Sequence, residues 1–194
     1  MHALRQLAKY LLRTPQRLLH PYRRQKAEAM LRSAPVHSVL VLCLGNICRS
    51  PYAAAQLRAV LGAQWTGRVD SAGFIGPGRP SPWEAVNVAT EHGIDLRDHR
   101  SRTVVAEDIT QFDLIVVMEA GQHQRLNETF SARAPRVLVL GDLDPEPIAQ
   151  RTIIDPFGRG LGEFHSSYAR IDRCTARLAA AISAPRSTAP HPAR

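Results

Sequence analysis

Cysteine, long apolar runs and N-terminal acids are all scarce in this 194-residue chain, and each scarcity closes off a class of protein. The three cysteines, Cys43, Cys48 and Cys174, are too few and too unevenly spaced for the disulfide framework of a small secreted domain. A reducing, cytoplasmic setting is therefore expected. The pair at 43 and 48 lacks the spacing of a zinc-binding pair and has no histidine cluster beside it, so neither a metal nor a cofactor is expected. No apolar stretch reaches the ~20 residues of a membrane-spanning helix. Arg5, Lys9 and Arg13 break up the first segment where a signal peptide would be uniformly apolar. Acids are nearly missing before Pro35, where eight basic side chains stand against Glu28 alone. Most of the formal net charge of +8 thus belongs to an appendage rather than to a face of the domain, and no nucleic-acid partner is expected.

What is present divides into three parts. Residues 1–35 form a basic, helix-prone N-terminal extension, residues 36–184 a single domain long enough to bury a sizeable core, and residues 185–194 a Pro- and Ala-rich tail expected to be disordered. In the extension, Leu4, Leu7, Leu11 and Leu12 recur at helical spacing with Arg5, Lys9 and Arg13 between them, which predicts a basic amphipathic helix. Thr14-Pro15 is expected to interrupt it, with a second, weaker stretch from Gln16 toward Leu31. Two readings of this arm stand side by side: a surface for anionic lipid or a partner protein, giving peripheral membrane contact, or an extension packed on the domain.

Within the domain, Val36–Leu42 reads as a central parallel strand, apolar on both faces. A loop follows, and then Ser50 as N-cap and Pro51 as first helical residue open a helix with the stripe Ala53, Ala54, Leu57, Val60 and Leu61. Arg68–Ala72 is a second strand closed by Gly73, and the Gly- and Pro-rich run to Pro82 is a loop. Ser81-Pro82 starts a helix ending near His92-Gly93. Leu114–Met118 and Val137–Leu140 are third and fourth strands, and Phe164, Tyr168, Ile171, Leu178 and Ile182 mark a long closing helix that takes in Cys174 as a buried thiol. Strands alternating with helices predict a three-layer α/β sandwich on a four-stranded parallel sheet, with ligands at the carboxyl ends of the strands. The Cys43 loop follows the first of those ends.

That loop, Cys43-Leu44-Gly45-Asn46-Ile47-Cys48-Arg49-Ser50, has the form of a phosphate cradle. Its backbone N–H groups, the helix N-terminus and the Arg49 guanidinium converge on one small dianion. In that field a thiol normally near pKa ~8.5 is expected to ionise at or below neutral pH. Asn46 suits a left-handed turn, and the Ser50 hydroxyl can donate to the thiolate. The glycine-lysine pair of nucleotide-binding loops is missing.

The strings Val41-Leu-Cys-Leu-Gly-Asn-Ile-Cys-Arg-Ser-Pro51, Asp70-Ser-Ala-Gly73, Gly93-Ile94 with His99-Arg100, Phe112-Asp-Leu-Ile-Val-Val-Met118 and Asp155-Pro-Phe157 together resemble the low-molecular-weight protein tyrosine phosphatases. The resemblance implies Cys43 as nucleophile forming a phosphocysteine, Arg49 as phosphate ligand and Asp155 as general acid and then base. It implies phosphate binding by the 44–48 loop and Ser50, a loop-fixing network that includes Ser71 and His99, and Phe157 as a wall for the substrate ring. It implies a phosphotyrosine protein as partner, in bacterial relatives a tyrosine kinase of polysaccharide export, and it allows a protective Cys43–Cys48 disulfide. Ile47 stands where phosphoarginine phosphatases tend to carry threonine, which favours phosphotyrosine. Phe157, Ala54 and Glu119 depart from the tyrosine, glutamate and aspartate common in the family. Asp144-Pro145 repeats the Asp-Pro pair, and Asp155 is preferred for its following aromatic. Two other readings are a thiol-coupled arsenate reductase, which needs a relay cysteine beyond the loop, and a catalytically inactive phosphopeptide-binding module.

Overall fold

Burial on both faces makes β1, Ser38–Cys43, the axis of the sheet: Val39, Val41 and Cys43 point to one side and Leu40 and Leu42 to the other, all buried. The computed structural model describes residues 2–130 and 136–184, with side chains from Gln16 onward. The strands β2 (Arg68–Gly73), β3 (Leu114–Val117) and β4 (Arg136–Val139) join β1 in the order β2-β1-β3-β4, all parallel. The expected four-stranded α/β sandwich is the fold found.

One layer holds α2 (Arg49–Leu61), α3 (Trp83–Glu91) and the long α6 (Leu161–Ser183), packed on the Val39–Val41–Cys43 face. Ala53 and Ala54 are buried there, and their small side chains let α2 lie close to the sheet. The opposite layer holds α4 (Ala106–Gln111) and α5 (Ala120–Phe130), whose Ile109 and Leu126 cover Leu40, Leu42, Ile115 and Val117. Neither helix is legible as an apolar stripe, because each gives only one or two residues to the core. A 3₁₀ turn, η1 (Leu140–Leu143), follows β4.

Two expectations about the helices, one about a break and one about a start, are corrected. The first concerns α1, which runs unbroken from His2 to Ser33 through Thr14-Pro15. An interior proline costs a helix one backbone bond, about 3 kcal/mol at most sites, and here the neighbouring turns carry on past it. The second concerns α2, which begins at Arg49 with Cys48 at the N-cap, so Pro51 is third in the helix. Ser50 is no cap because its hydroxyl is turned toward Cys43. Val60, expected in the buried stripe, is 44% exposed. The 185–194 tail lies outside the described residues.

The second half of α1 is part of the folded body. Ala27 and Leu31 join the core, Arg24 Nη1 donates to the carbonyls of Asp144 (3.5 Å) and Pro145 (3.0 Å), and Arg177 pairs with Glu28. Arg136 Nη1 reaches the carbonyl of Ala34 at 2.8 Å, fixing the end of the helix beside the start of β4. No helix among the described residues is long and apolar enough to cross a membrane.

Between α1 and η1 lies His20, 3% exposed, with Nε2 lacking a hydrogen-bond partner. Burial, and then the charge of Arg24, hold its pKa below the ordinary 6.5 despite Asp142 and Asp144 nearby. Because the folded value is depressed, the neutral histidine's contribution is present above pH 6.5 and is lost as pH falls below it. Replacing His20 by leucine should therefore narrow the drop in melting temperature between pH 7.5 and 5.5. An unchanged drop would remove His20 from the acid response.

Candidate active site

The segment from Cys43 to Arg49 turns sharply because Asn46 takes a left-handed backbone, φ 51°, a conformation rare outside glycine and asparagine. Every polar group of this fully buried residue is used. Its N–H donates to Cys43 Sγ (3.3 Å), and its Nδ2 donates to Ser50 Oγ and Ser71 Oγ (2.9 Å each). Its Oδ1 accepts from the Arg102 N–H (2.9 Å), and its carbonyl accepts from His99 Nε2 (2.7 Å). That last contact fixes the histidine tautomer, since a carbonyl cannot donate. Burial holds the His99 pKa below its ordinary value, opposed by this same bond. Ser50 Oγ also stands 3.0 Å from Cys43 Sγ and 3.3 Å from the Ala72 carbonyl, so its one proton can go to either.

The guanidinium of Arg49, 2% exposed, is held by the Ile153 carbonyl (Nη1, 3.0 Å) and by Asp155 (Nη2), with Glu119 Oε1 3.6 Å from Nη1. Its Nε is buried and without a partner. Leaving such a donor unpaired costs about 1–3 kcal/mol, and an oxyanion seated in the loop would satisfy it. Among the turn and loop hydrogen bonds of the described residues, none is donated by the N–H of Gly45, Ile47, Cys48 or Arg49. These four amides, at the N-terminal end of α2, complete an anion cradle.

The loop from Arg151 to Phe157 supplies the opposite wall. Ile153 N–H donates to the Met118 carbonyl (3.0 Å), and Ser167 Oγ donates to the Ile154 carbonyl (2.8 Å). Arg170 holds the carbonyls of Gln150 and Thr152 from α6 (2.9 and 2.8 Å). The rival acid Asp144 is fully buried between Arg170 (2.9 Å) and Arg173 (3.1 Å) and forms a structural ion cluster away from the cradle. Close approach sets Gly141, where a Cβ would fall 2.0 Å from the Arg151 carbonyl.

Cys43, Leu44, Gly45, Ile47, Cys48, Ile75, Arg79, Asp155 and Phe157 line a cavity of about 180 Å³. Cys43 is buried, while Leu44, Ile75 and Phe157 are exposed at its mouth. Ser71 and His99 meet Asn46 behind the loop and do not line the cavity. Cys48 is a buried free thiol whose pKa burial pushes up, and Tyr168 Oη donates to its carbonyl (3.2 Å). Cys174 is sealed in the core, its thiol pushed up to about 12 by burial.

Sequence reasoning missed Arg79, Ile75 and Tyr168. Arg79 Nη2 donates to the Gly45 carbonyl (3.1 Å), and a Cβ on Gly45 would come within 2.7 Å of that nitrogen. The available signal was a lone arginine in the Gly- and Pro-rich loop after Gly73. Tyr168 stacks on Tyr52 with centroids 3.7 Å apart, and this buried pair supports the cradle from below.

The model of the low molecular weight phosphotyrosine protein phosphatase family matches residues 38–188. A probable low molecular weight protein-tyrosine-phosphatase, EpsP of Ralstonia nicotianae, is 36% identical over 140 residues, covering 71% of this chain and 90% of that one. Among solved structures, the tyrosine phosphatase amsI of Erwinia amylovora superposes with a TM-score of 0.69 at 31% identity, covering 79% of this chain and 97% of that one. Wzb of Vibrio vulnificus in complex with benzylphosphonate gives 0.65 at 31% identity, covering 74% and 97%.

Replacing Asn46 by alanine removes the Nδ2 and Oδ1 bonds and leaves an unsuited residue in a left-handed turn. The variant should lose about 1–3 kcal/mol of stability and bind inorganic phosphate at least about tenfold more weakly, as read by calorimetric titration. Phosphate affinity equal to that of the parent would show that the cradle holds its shape without this residue.

Proposed function

Since the chain belongs to the low molecular weight phosphotyrosine protein phosphatase family, we propose that it hydrolyses phosphotyrosine in proteins through a phosphocysteine on Cys43. One observation carries the reading: the Cys43 sulfur closes the floor of an anion cradle whose mouth is apolar and whose rim holds a carboxylate, Asp155. An apolar cavity of about 150 Å³ takes one benzene ring, and the ~180 Å³ here suits a phenyl phosphate entering phosphate first.

In the proposed cycle the dianion enters and takes over the Arg49 guanidinium, opening the Arg49–Asp155 pair. Once the pair has opened, Asp155 takes a proton from solvent. The Cys43 thiolate attacks phosphorus in line with the ester oxygen, the S–P bond forms as the P–O bond breaks, and Asp155 gives that proton to the departing phenolate. Asp155, now a carboxylate, takes a proton from water as that water attacks phosphorus. The S–P bond breaks, and phosphate and the Cys43 thiolate are released. The backbone amides of Gly45, Ile47, Cys48 and Arg49, together with the Arg49 guanidinium, meet the charge on the equatorial oxygens. The Asn46, Ser50, Ser71 and His99 network holds the loop in place. Ile47 and Phe157 flank the ring.

We take residues 36–184 as the catalytic unit, working where its three free thiols stay reduced, in the cytoplasm. The buried Cys174 offers no accessible relay thiol for arsenate reduction. A tyrosine-phosphorylated protein is the proposed partner, and a kinase of polysaccharide export is the one that the family resemblance implies. A Cys43→Ser pull-down from cells would identify it.

Asp155→Asn should lower kcat for an aryl phosphate by about 10²–10⁴ with KM close to the parent value. Cys43→Ser should abolish turnover and the acid-quenched phosphoprotein intermediate. Turnover surviving Cys43→Ser would sink the mechanism.

A further inference from the structure

Helix α1 lies outside the matched family region and has two opposed faces. His20, Ala27 and Leu31 are buried against the body, whereas Leu18 is 75% and Tyr22 64% exposed, one helical turn apart on the other side. In sequence, Leu18 continues the helical repeat of Leu4, Leu7 and Leu11. Exposed basic residues flank this ridge, Lys26 on one side and Arg17 and Arg32 on the other, and residues 1–35 carry eight basic side chains against one acid. A ridge of leucine and tyrosine between rows of lysine and arginine matches an anionic bilayer surface, with apolar groups at acyl depth and cations among the headgroups.

The direction of α1 adds to the argument. Arg24 meets carbonyls beyond the carboxyl end of β4, while Ala34 meets Arg136 at its amino end. The helix therefore runs alongside β4 in the opposite sense, and the residues before His20 extend about 1.5 Å each past the end of the sheet that carries the Cys43 loop.

We propose that α1 lies in the headgroup layer of an anionic membrane by its Leu18–Tyr22 face, holding the catalytic end of the sheet beside the bilayer. Its C-terminal half stays clamped to the body. On the phosphatase reading, the substrates within reach are phosphorylated segments close to the membrane surface.

The test is co-sedimentation of the full chain with phosphatidylglycerol/phosphatidylcholine vesicles and with pure phosphatidylcholine vesicles. Binding to the anionic vesicles alone is expected, at least about tenfold weaker at 0.5 M salt. Leu18→Glu/Tyr22→Glu and, separately, Arg17→Glu/Lys26→Glu should each cost a similar factor while leaving aryl phosphate turnover in solution unchanged. Absence of binding, or binding indifferent to both double variants, overturns the proposal. A dimer in light scattering that Leu18→Glu/Tyr22→Glu dissolves would assign the face to a second copy and overturn it as well. None of these readouts depends on the phosphatase reading, which stands or falls by Cys43→Ser.

Discussion

The left-handed turn at Asn46 is the constraint on which the rest of the site depends. A buried amide in that conformation is tolerable only if its donors and acceptors are all met, and here β2, α2 and the 99–102 loop meet them. The sheet order puts β2 beside β1, which brings Ser71 next to the loop that leaves β1. The polar network and the strand pairing therefore specify each other. With the turn set, the amides of Gly45, Ile47, Cys48 and Arg49 are left without turn or loop acceptors, and Arg49 enters the first turn of α2 with its guanidinium buried.

The acid side of the site is built by different means. Asp155 sits on an irregular loop with no ladder to hold it, so α6 provides a frame of side chains: Arg170 on two carbonyls and Ser167 on a third. Arg170 is held in turn by buried Asp144. Buried ion pairs add little net stability, but they fix geometry, and at Asp144 that geometry sets the path of the 150–155 loop. Tyr168 on the same helix reaches the Cys48 carbonyl, so α6 braces both walls of the cavity.

Much of this is legible in the sequence where the signal is local. The apolar run into Cys43 announces β1, the C-x₅-R-S string its cradle, and the Phe164-to-Ile182 spacing the closing helix. Signals weaken where contacts are distant. Arg79 reads as an ordinary loop cation until the fold brings it to the Gly45 carbonyl, and Asp144 reads as a turn residue until two arginines of α6 close on it. Ser50 looks like a helix cap because that role needs only neighbours, whereas its actual partners, Cys43 and Asn46, require the turn to exist. Pro15 looks like a helix stop, yet the backbone continues through it.

If the proposed function holds, the pairing of Arg49 with Asp155 makes the site an ion exchanger. On the proposed reading a phosphorylated side chain would not meet a bare cation but would displace a carboxylate already bonded to it, so its affinity would be the difference between two ion pairs. A ligand of weak charge would gain little by that exchange, so such a site would discriminate by charge before it reads shape.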